Sequence, residues 1–257
     1  MRKHQSIIIC ANPRSGSTLL CDLLASTGVA GKPASFYRKQ SISDWARQLD
    51  VATSKKMETP EFERAYLAAI LKEGTGDTGV FGLRLMWDTV ERLTGCLRLI
   101  YPDALNDLAL FECAFGQPLY LSLIRQNKVA QAVSLVKASQ SGLWHLASDG
   151  SERQRSKEHE HPAYDSDAIG AEVAALTKED AAWQEWFVQQ GIAPLCISYE
   201  DLVKNPQAML AKILTVLGQD TNLAENLEPA TARMADEESE RWIKRYRSEP
   251  VGNGGRS

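Results

Sequence analysis

A short polar turn carries the residues whose types and spacing are best suited to chemistry. Asn12-Pro13-Arg14-Ser15-Gly16-Ser17-Thr18 follows an apolar run at residues 7–11 and precedes leucines at helical spacing. The N-terminus of a helix offers free backbone N–H groups and the positive end of its dipole, so it attracts anions. The turn adds a permanent cation at Arg14, close backbone approach at Gly16, and hydroxyl donors at Ser15, Ser17 and Thr18. This combination predicts an anion-binding site rather than an ordinary turn with a capping serine.

A P-loop kinase or nucleoside triphosphatase is the first alternative for such a turn. The Walker motif needs two glycines separated by four residues, followed by Lys and Ser or Thr. This turn has one glycine and no Gly-Lys pair. ATP-dependent phosphoryl transfer is therefore disfavoured.

The elements that must position the turn alternate between strand and helix. Apolar runs at 7–11, 119–125 and 195–199 predict buried strands, and helical spacing follows each of them, with Asn127 and Asn205-Pro206 as helix starts. Residues 80–86 and 97–101 are further strand candidates, and 237–247 predicts a charged helix anchored by Trp242 and Tyr246. Trp183, Trp186 and Phe187 fit a helix packing face. The alternation predicts an α/β fold, with a central parallel sheet flanked by helices.

Composition limits the class of protein. The chain has 257 residues, a length typical of one large domain or two small ones, of which we expect one. Its 29 Lys plus Arg against 33 Asp plus Glu disfavour a general nucleic-acid binder. No apolar run approaches the length of a signal core or a membrane helix. The five scattered cysteines predict reduced, buried thiols in a cytoplasmic protein. Residues 148–162 predict a mobile polar loop, and 252–257 a frayed tail.

Several motifs together resemble a known family. Pro13-Arg14-Ser15-Gly16-Ser17-Thr18-Leu19-Leu20 resembles the 5′-phosphosulfate loop of sulfotransferases that use 3′-phosphoadenosine 5′-phosphosulfate (PAPS). Arg125 with Ser134 resembles their 3′-phosphate site. Ser198-Tyr199-Glu200-Asp201-Leu202 resembles the tyrosine-glutamate-aspartate-leucine motif that precedes a helix near the C-terminal end of these enzymes. Gly28-Val29-Ala30-Gly31, Gly82-Leu83-Arg84 and Trp242-Ile243-Lys244-Arg245-Tyr246 narrow the match. The order of these motifs, which extend from residue 7 to residue 247, is similar to that in the bacterial trehalose 2-sulfotransferase family.

The resemblance implies a single P-loop-like sulfotransferase domain over residues 1–257, a PAPS co-substrate, no metal, and a hydroxyl acceptor on a carbohydrate or glycolipid. It also implies a homodimer. Arg14 would stabilise charge on the bridging oxygen, and Ser15, Gly16, Ser17 and Thr18 would hold the 5′-phosphosulfate. Arg125 and Ser134 would read the 3′-phosphate, with Arg233 as a further nucleotide contact. The sequence Glu158-His159-Glu160-His161 has metal-ligand residue types, but it lacks the partners that a metal site requires.

The acceptor side departs from the family pattern. The resemblance places the family's glutamate base at Ser35, and a serine lacks a suitable pKa for that role. Another group, His145 or Asp88, could supply the base; alternatively, the acceptor is more acidic than a sugar alcohol, or the protein binds nucleotide without transfer. Arg84 and Trp87 would either contact the acceptor or pack in the core. We expect the acceptor pocket to be built by residues 32–40, the region around Trp87 and the segment after Trp144.

Overall fold

The computed structural model describes residues 4–52, 59–146, 152–155, 161–225 and 237–249. Short 3-10 turns occupy Trp87–Thr89 and Thr221–Ala224. The strands and helices are, in chain order, β1 Ser6–Ala11, α1 Ser17–Ser26, α2 Ile42–Gln48, α3 Pro60–Thr75, β2 Phe81–Met86, α4 Val90–Ile100, α5 Asp107–Phe115, β3 Pro118–Ile124, α6 Lys128–Ser141, β4 Leu143–Leu146, β5 Glu152–Arg155, α7 Ser166–Gln190, β6 Leu195–Ser198, α8 Tyr199–Lys204, α9 Pro206–Leu217 and α10 Glu237–Ser248.

The chain divides into two compact units. The first contains Met1–Gln126 and Glu179–Pro229, and the second contains Asn127–Lys178 and Ala230–Ser257. Helix α7 contributes residues to both, with the division after Lys178. That the whole chain acts as a single sulfotransferase domain stays a prediction.

The first unit contains a parallel sheet with strand order β2-β1-β3-β6. Ala11 at the end of β1 pairs with Met86 of β2 and with Leu123 of β3, and Ile124 of β3 pairs with Ser198 of β6. All four strands therefore end at the same edge. Ligands of open parallel sheets bind outside this carboxyl edge, and the turn after β1 lies there.

Every side chain of strand β1 is buried, and its three consecutive isoleucines are β-branched residues that favour a strand. Ile8 and Cys10 face one apolar cluster, and Ile7 and Ile9 face the other, so the period of two serves both layers. Full burial of each isoleucine contributes roughly 1.5–3 kcal/mol. The α/β fold class and the strands predicted at 7–11, 80–86, 119–125 and 195–199 are confirmed, with shifts of about one residue at their ends.

The strand predicted at residues 97–101 is wrong. Residues 97–100 form the end of α4, and Tyr101 is its C-cap. Val90, Leu93, Leu97 and Ile100 of α4 are all buried. Their three- and four-residue spacing places them on one face of a helix, and this longer pattern outweighs the strand-like composition of residues 97–101. The prediction that Trp183, Trp186 and Phe187 form a packing face is confirmed, since all three are buried in the same apolar cluster.

The second unit has its own apolar cluster, which joins α6, α7 and α10 through Val133, Ile169 and Trp242. The predicted helix at 237–247 is confirmed as α10, and Asn127 caps α6 by accepting a hydrogen bond from the Ala130 N–H at 3.1 Å. Strands β4 and β5 pair antiparallel. Strand β5 lies inside the segment 148–162, so residues 152–155 of the predicted polar loop form a strand, and the mobility of the segment stays a prediction. Residues 148–151, 156–160 and 252–257 lie outside the described residues.

The cysteines divide by position. Cys10, Cys21 and Cys96 are buried, as predicted, but Cys113 and Cys196 are exposed, so the prediction of buried thiols is wrong for these two. Cys196 belongs to the edge strand β6, and its neighbour Ile197 takes the buried side. Over the ranges described, no helix is both long and apolar enough to cross a membrane.

Candidate functional site

The turn after β1 has an unusual backbone. Arg14 has φ +61° and Gly16 has φ +87°, so both adopt left-handed conformations around Ser15. For a residue with a Cβ this costs about 1–2 kcal/mol and persists only where the surroundings hold it, which is common at functional sites. Gly16 is the N-cap of α1 and has no side chain to cap the helix. The turn therefore presents the first backbone N–H groups of α1 at the carboxyl edge of the sheet.

Two polar atoms in this turn are buried without a hydrogen-bond partner among the described residues. They are Ser15 Oγ and Asn12 Oδ1, on side chains of residues that are 1% and 2% exposed. The Asn12 amide is oriented by Asp180, since Asn12 Nδ2 donates to Asp180 Oδ1 at 2.7 Å. Buried polar atoms are rarely left unsatisfied in native structures, so the hydroxyl of Ser15 indicates a place for a ligand.

Tyr199 explains why position 16 is glycine. A Cβ on Gly16 would lie 2.6 Å from Tyr199 Cδ2. The same ring makes a cation–π interaction with Arg125, whose Cζ lies 4.4 Å from the centroid of the Tyr199 ring. Arg125 Nη1 also donates to the backbone oxygen of Arg14 at 3.1 Å. Tyr199 and Arg125 thus connect the ends of β1, β3 and β6.

Arg14 lies in a cationic environment. Burial, and then the positive charge of Arg125, lower the pKa of the Arg14 guanidinium to about 10, and Tyr199 opposes the shift. The group stays protonated at neutral pH. Two guanidinium groups close enough to affect each other, beside an uncapped helix N-terminus, favour a ligand with several negative charges.

Each residue of the stretch Ser198-Tyr199-Glu200-Asp201 makes a contact that holds the local structure in place. Ser198 Oγ caps α8 by accepting from the Asp201 N–H at 3.0 Å, and donates to Asp201 Oδ2 at 2.7 Å. Glu200 Oε2 accepts from the N–H of Gln126, which follows Arg125, at 3.1 Å. The sequence pointed to this stretch only through its resemblance to a family. Its contacts show that it orients the end of β3 as well as Tyr199.

Arg84 connects the first turn of α1 to the segment containing Ser35. Its Nε donates to Ser35 Oγ at 2.8 Å and its Nη1 donates to Thr18 Oγ1 at 2.7 Å. The backbone fixes Ser35, because Ala34 bridges Leu83 in parallel and its oxygen accepts from the Arg84 N–H at 3.0 Å. Gly82 permits this approach: a Cβ there would lie 2.6 Å from the Pro33 nitrogen.

The remaining predicted residues are placed as follows. Trp87 packs edge-on against Trp183, with ring centroids 5.1 Å apart, and the Trp183 Nε1–H donates to the Ala11 oxygen at 3.3 Å. Ser134 is a half-buried residue of α6 in the second unit. His145 lies on β4, with its backbone opposite Gln154. Arg233 lies outside the described residues.

A cleft of about 530 Å³ lies where two of the three predicted acceptor segments meet. Its lining comes from residues 38–40, from the 3-10 turn and from α4, namely Arg38, Lys39, Gln40, Asp88, Thr89, Glu91, Arg92, Gly95, Cys96 and Leu99. Asp88 is exposed and accepts a hydrogen bond from Thr89 Oγ1 at 3.0 Å. In the part of the chain that the structure describes, no three His, Cys, Asp or Glu residues are grouped as metal ligands.

Three features of the site escaped sequence reasoning. They are the contact of Asp180 with Asn12, the position of Tyr199 under Arg125, and the hydrogen bonds from Arg84 to Thr18 and Ser35. Asp180 has no signal in the sequence, because it is 168 positions from its partner on a helix rich in acidic residues. Tyr199 could have been suspected from the position of its motif directly after a predicted strand.

Comparison with known proteins identifies the family. The family model for Stf0 sulphotransferase matches residues 6–249. The trehalose 2-sulfotransferases of Mycobacterium tuberculosis and Mycolicibacterium smegmatis are 29% and 27% identical to the chain, over 96% of this chain and of theirs. Among solved structures, the sulfotransferase domain of a Synechococcus olefin synthase aligns with 99% of this chain and 91% of its own, at 15% identity and a TM-score of 0.44. A sulfotransferase from Mycobacterium avium aligns with 96% of this chain and 68% of its own, at 12% identity and a TM-score of 0.45. Because the family model covers nearly the whole sequence, the chain belongs to the Stf0 sulphotransferase family.

Proposed function

We propose that this protein transfers a sulfuryl group from PAPS to a hydroxyl of a carbohydrate or glycolipid. The observation that carries the proposal is the cluster at the end of β1: Arg14, the buried hydroxyl of Ser15 and the uncapped N-terminus of α1 lie beside Arg125. This donor set suits the phosphates and sulfate of PAPS, because it supplies fixed cations and N–H groups without a metal. The names of the two mycobacterial relatives support a carbohydrate acceptor.

Each residue of the turn has a role in the proposed transfer. The acceptor oxygen forms a bond to sulfur while the bond between sulfur and the bridging oxygen breaks, and adenosine 3′,5′-bisphosphate leaves. Arg14 donates to the bridging oxygen, where negative charge develops. Backbone N–H groups of α1, with the hydroxyls of Ser15, Ser17 and Thr18, hold the 5′-phosphosulfate. Preorganised donors of this kind contribute to transition-state stabilisation because they need no rearrangement during the reaction.

The 3′-phosphate is assigned to Arg125. The ring of Tyr199 and the backbone oxygen of Arg14 hold this guanidinium in place, so little side-chain freedom is lost on binding. The family resemblance adds Ser134 and Arg233 to the nucleotide contacts. We also propose a homodimer, on the resemblance, and a cytoplasmic location, on the scattered cysteines.

The proton of the acceptor hydroxyl needs a base that Ser35 does not provide. Ser35 Oγ accepts a hydrogen bond from Arg84 Nε, and the positive charge of this guanidinium opposes the uptake of a proton by the Ser35 hydroxyl. Asp88, exposed at the rim of the cleft, and His145 therefore remain the proposed bases. The same contact favours a second candidate function, a protein that binds PAPS or adenosine 3′,5′-bisphosphate without transferring the sulfuryl group.

Replacing Arg14 by alanine tests the assignment. Transfer of ³⁵S from labelled PAPS to a panel of sugars, glycolipids and phenols gives kcat, and calorimetry gives the affinity for adenosine 3′,5′-bisphosphate. Loss of a donor to developing charge lowers kcat by about 100- to 1000-fold. We expect a smaller loss of nucleotide affinity, about 10-fold or less, because the α1 N–H groups and Arg125 remain.

The matched control is Arg47→Ala, which removes an exposed arginine of α2 that pairs with Asp44 of the same helix at 3.2 Å. Its kcat and affinity should equal those of the unmodified protein. Full turnover of Arg14→Ala at saturating PAPS would refute the catalytic assignment. Nucleotide binding without transfer to any acceptor would establish the second candidate.

A further inference from the structure

Arg84 is a half-buried cation whose side-chain partners are both neutral. It donates from Nε to Ser35 Oγ and from Nη1 to Thr18 Oγ1. Its side chain has no further hydrogen bond and no ion pair with any residue that the structure describes. More exposed arginines have carboxylate partners: Arg98 with Asp107 and Arg245 with Glu249, each at 2.8 Å. The N–H groups of Arg84 on Nη2, and the second one on Nη1, are thus available to a ligand.

This arrangement favours an anion. A guanidinium that loses part of its water without gaining a counter-ion is destabilising, and a bound carboxylate or phosphate offsets that loss. The edge of the guanidinium formed by Nη1 and Nη2 matches two oxygens of such a group. Strand β2 and the two hydroxyl contacts already fix the side chain, so little conformational freedom remains to be lost.

Position 35 adds a second donor, and the chain reaches the lining of the cleft three residues later. Because Ser35 Oγ accepts from Arg84, its own O–H can donate to the same anion. The backbone turns directly after Ser35, where the Arg38 N–H donates to the Ser35 oxygen at 3.4 Å. Arg38 then lines the 530 Å³ cleft, in which cations outnumber acidic residues, the cations being Arg38, Lys39 and Arg92. The cleft that the chain reaches three residues after Ser35 thus has an excess of positively charged side chains, which suits an acidic molecule.

We propose that Arg84 and Ser35 form a subsite for an anionic group on the acceptor, so that the substrate is an acidic carbohydrate bearing a carboxylate or a phosphate. The inference rests on the proposed sulfuryl transfer and narrows its substrate class. A glutamate at position 35 would bring a carboxylate within reach of Arg84, which donates to the Ser35 hydroxyl at 2.8 Å. A serine leaves that charge to the substrate.

Two glycosides that differ at one carbon test the subsite. Methyl α-D-glucoside and methyl α-D-glucuronide differ only in a hydroxymethyl group against a carboxylate, and glucose 6-phosphate provides a phosphate arm. A charge-assisted hydrogen-bonded pair favours the acidic acceptors by about 10- to 100-fold in kcat/KM. Arg84→Gln removes this preference. Ser35→Glu gives Arg84 a carboxylate within the protein, so it reverses the preference toward the neutral glucoside, whereas the uncharged Ser35→Gln does not reverse it.

Binding measurements separate this inference from the proposed function. With adenosine 3′,5′-bisphosphate bound, calorimetry compares the glucoside and the glucuronide in the unmodified protein and in Arg84→Gln, with no turnover required. Tighter glucuronide binding that Arg84→Gln abolishes supports the subsite even in a protein that transfers nothing. Equal binding of both glycosides to the unmodified protein overturns it. So does an Arg84→Gln variant that raises the KM for PAPS and keeps the acceptor preference, since the anion would then belong to the donor.

Discussion

Replacing Gly16 by alanine tests whether the contact between the turn and Tyr199 organises the nucleotide site. Two costs add in this variant. A Cβ at φ +87° costs about 1–2 kcal/mol, and a Cβ placed 2.6 Å from the Tyr199 ring must displace it, which costs about 1–3 kcal/mol more. We expect unfolding in urea to show a loss of about 2–5 kcal/mol.

Gly191→Ala is the matched control for the backbone cost. Gly191 has φ +66° in the same unit, and a Cβ there would meet nothing within 4 Å. This control should lose only about 1–2 kcal/mol, so the difference between the two variants isolates the clash with Tyr199. Adding Tyr199→Ala to each variant completes the cycle, because without the ring the two alanine substitutions should have nearly the same cost.

Ligand binding gives the second measurement on the same variants. Displacing Tyr199 removes a cation–π contact of about 0.5–2 kcal/mol that orders Arg125, which corresponds to a loss of roughly 2- to 30-fold in affinity for adenosine 3′,5′-bisphosphate. Gly191→Ala should bind the nucleotide as the unmodified protein does. If Gly16→Ala and Gly191→Ala show equal stability and equal affinity, the reasoning from this contact is refuted.

Two further predictions concern the same turn. Because the pKa of Arg14 in the folded protein is about 10, below its ordinary value, the unfolded chain binds more protons above that pH, and the cost of burying the charge declines as pH rises through 10. Calorimetry should accordingly find constant affinity for adenosine 3′,5′-bisphosphate between about pH 7 and 9 and a fall above about pH 10; a pH dependence that persists unchanged in Arg14→Gln would contradict this. Asp180→Ala leaves the Asn12 amide without its acceptor and should lower stability in urea by about 1–3 kcal/mol. Glu185→Ala, an exposed change on the same helix, should lower it by less than about 0.5 kcal/mol, and equal losses in the two variants would show that the Asn12 contact contributes nothing.

The parts of the fold that could be predicted are those with a local cause. Strand β1 is a run of β-branched residues, and α9 begins with Asn205-Pro206 and ends before Gly218, which has φ +71°. The turn after β1 could be recognised as a candidate anion site because its cation, glycine and hydroxyls are consecutive, and anion binding there stays a prediction. The strand predicted at the end of α4 is wrong because the mostly apolar segment Leu97-Arg98-Leu99-Ile100-Tyr101 fits a short strand as well as a buried helix segment.

The acceptor side could not be predicted because its contacts join distant positions. Arg84 meets Thr18 and Ser35 across 66 and 49 positions, and neither contact has a signature in the local pattern. Sequence reasoning identified Ser35 as the departure from the family, but it could not identify the guanidinium beside it. From the sequence alone, Arg84 is open to either of two interpretations, acceptor contact or packing.

The distribution of the thiols has a practical consequence for labelling. Burial raises the pKa of the Cys10 thiol well above its ordinary value, and this residue lies in the fully buried β1. A maleimide reacts with the thiolate, so the buried Cys10 stays unmodified in the folded protein, whereas the exposed Cys113 and Cys196 are accessible. Fluorophores can therefore be attached at α5 and at β6 of the native protein without replacing the cysteine at the centre of the sheet.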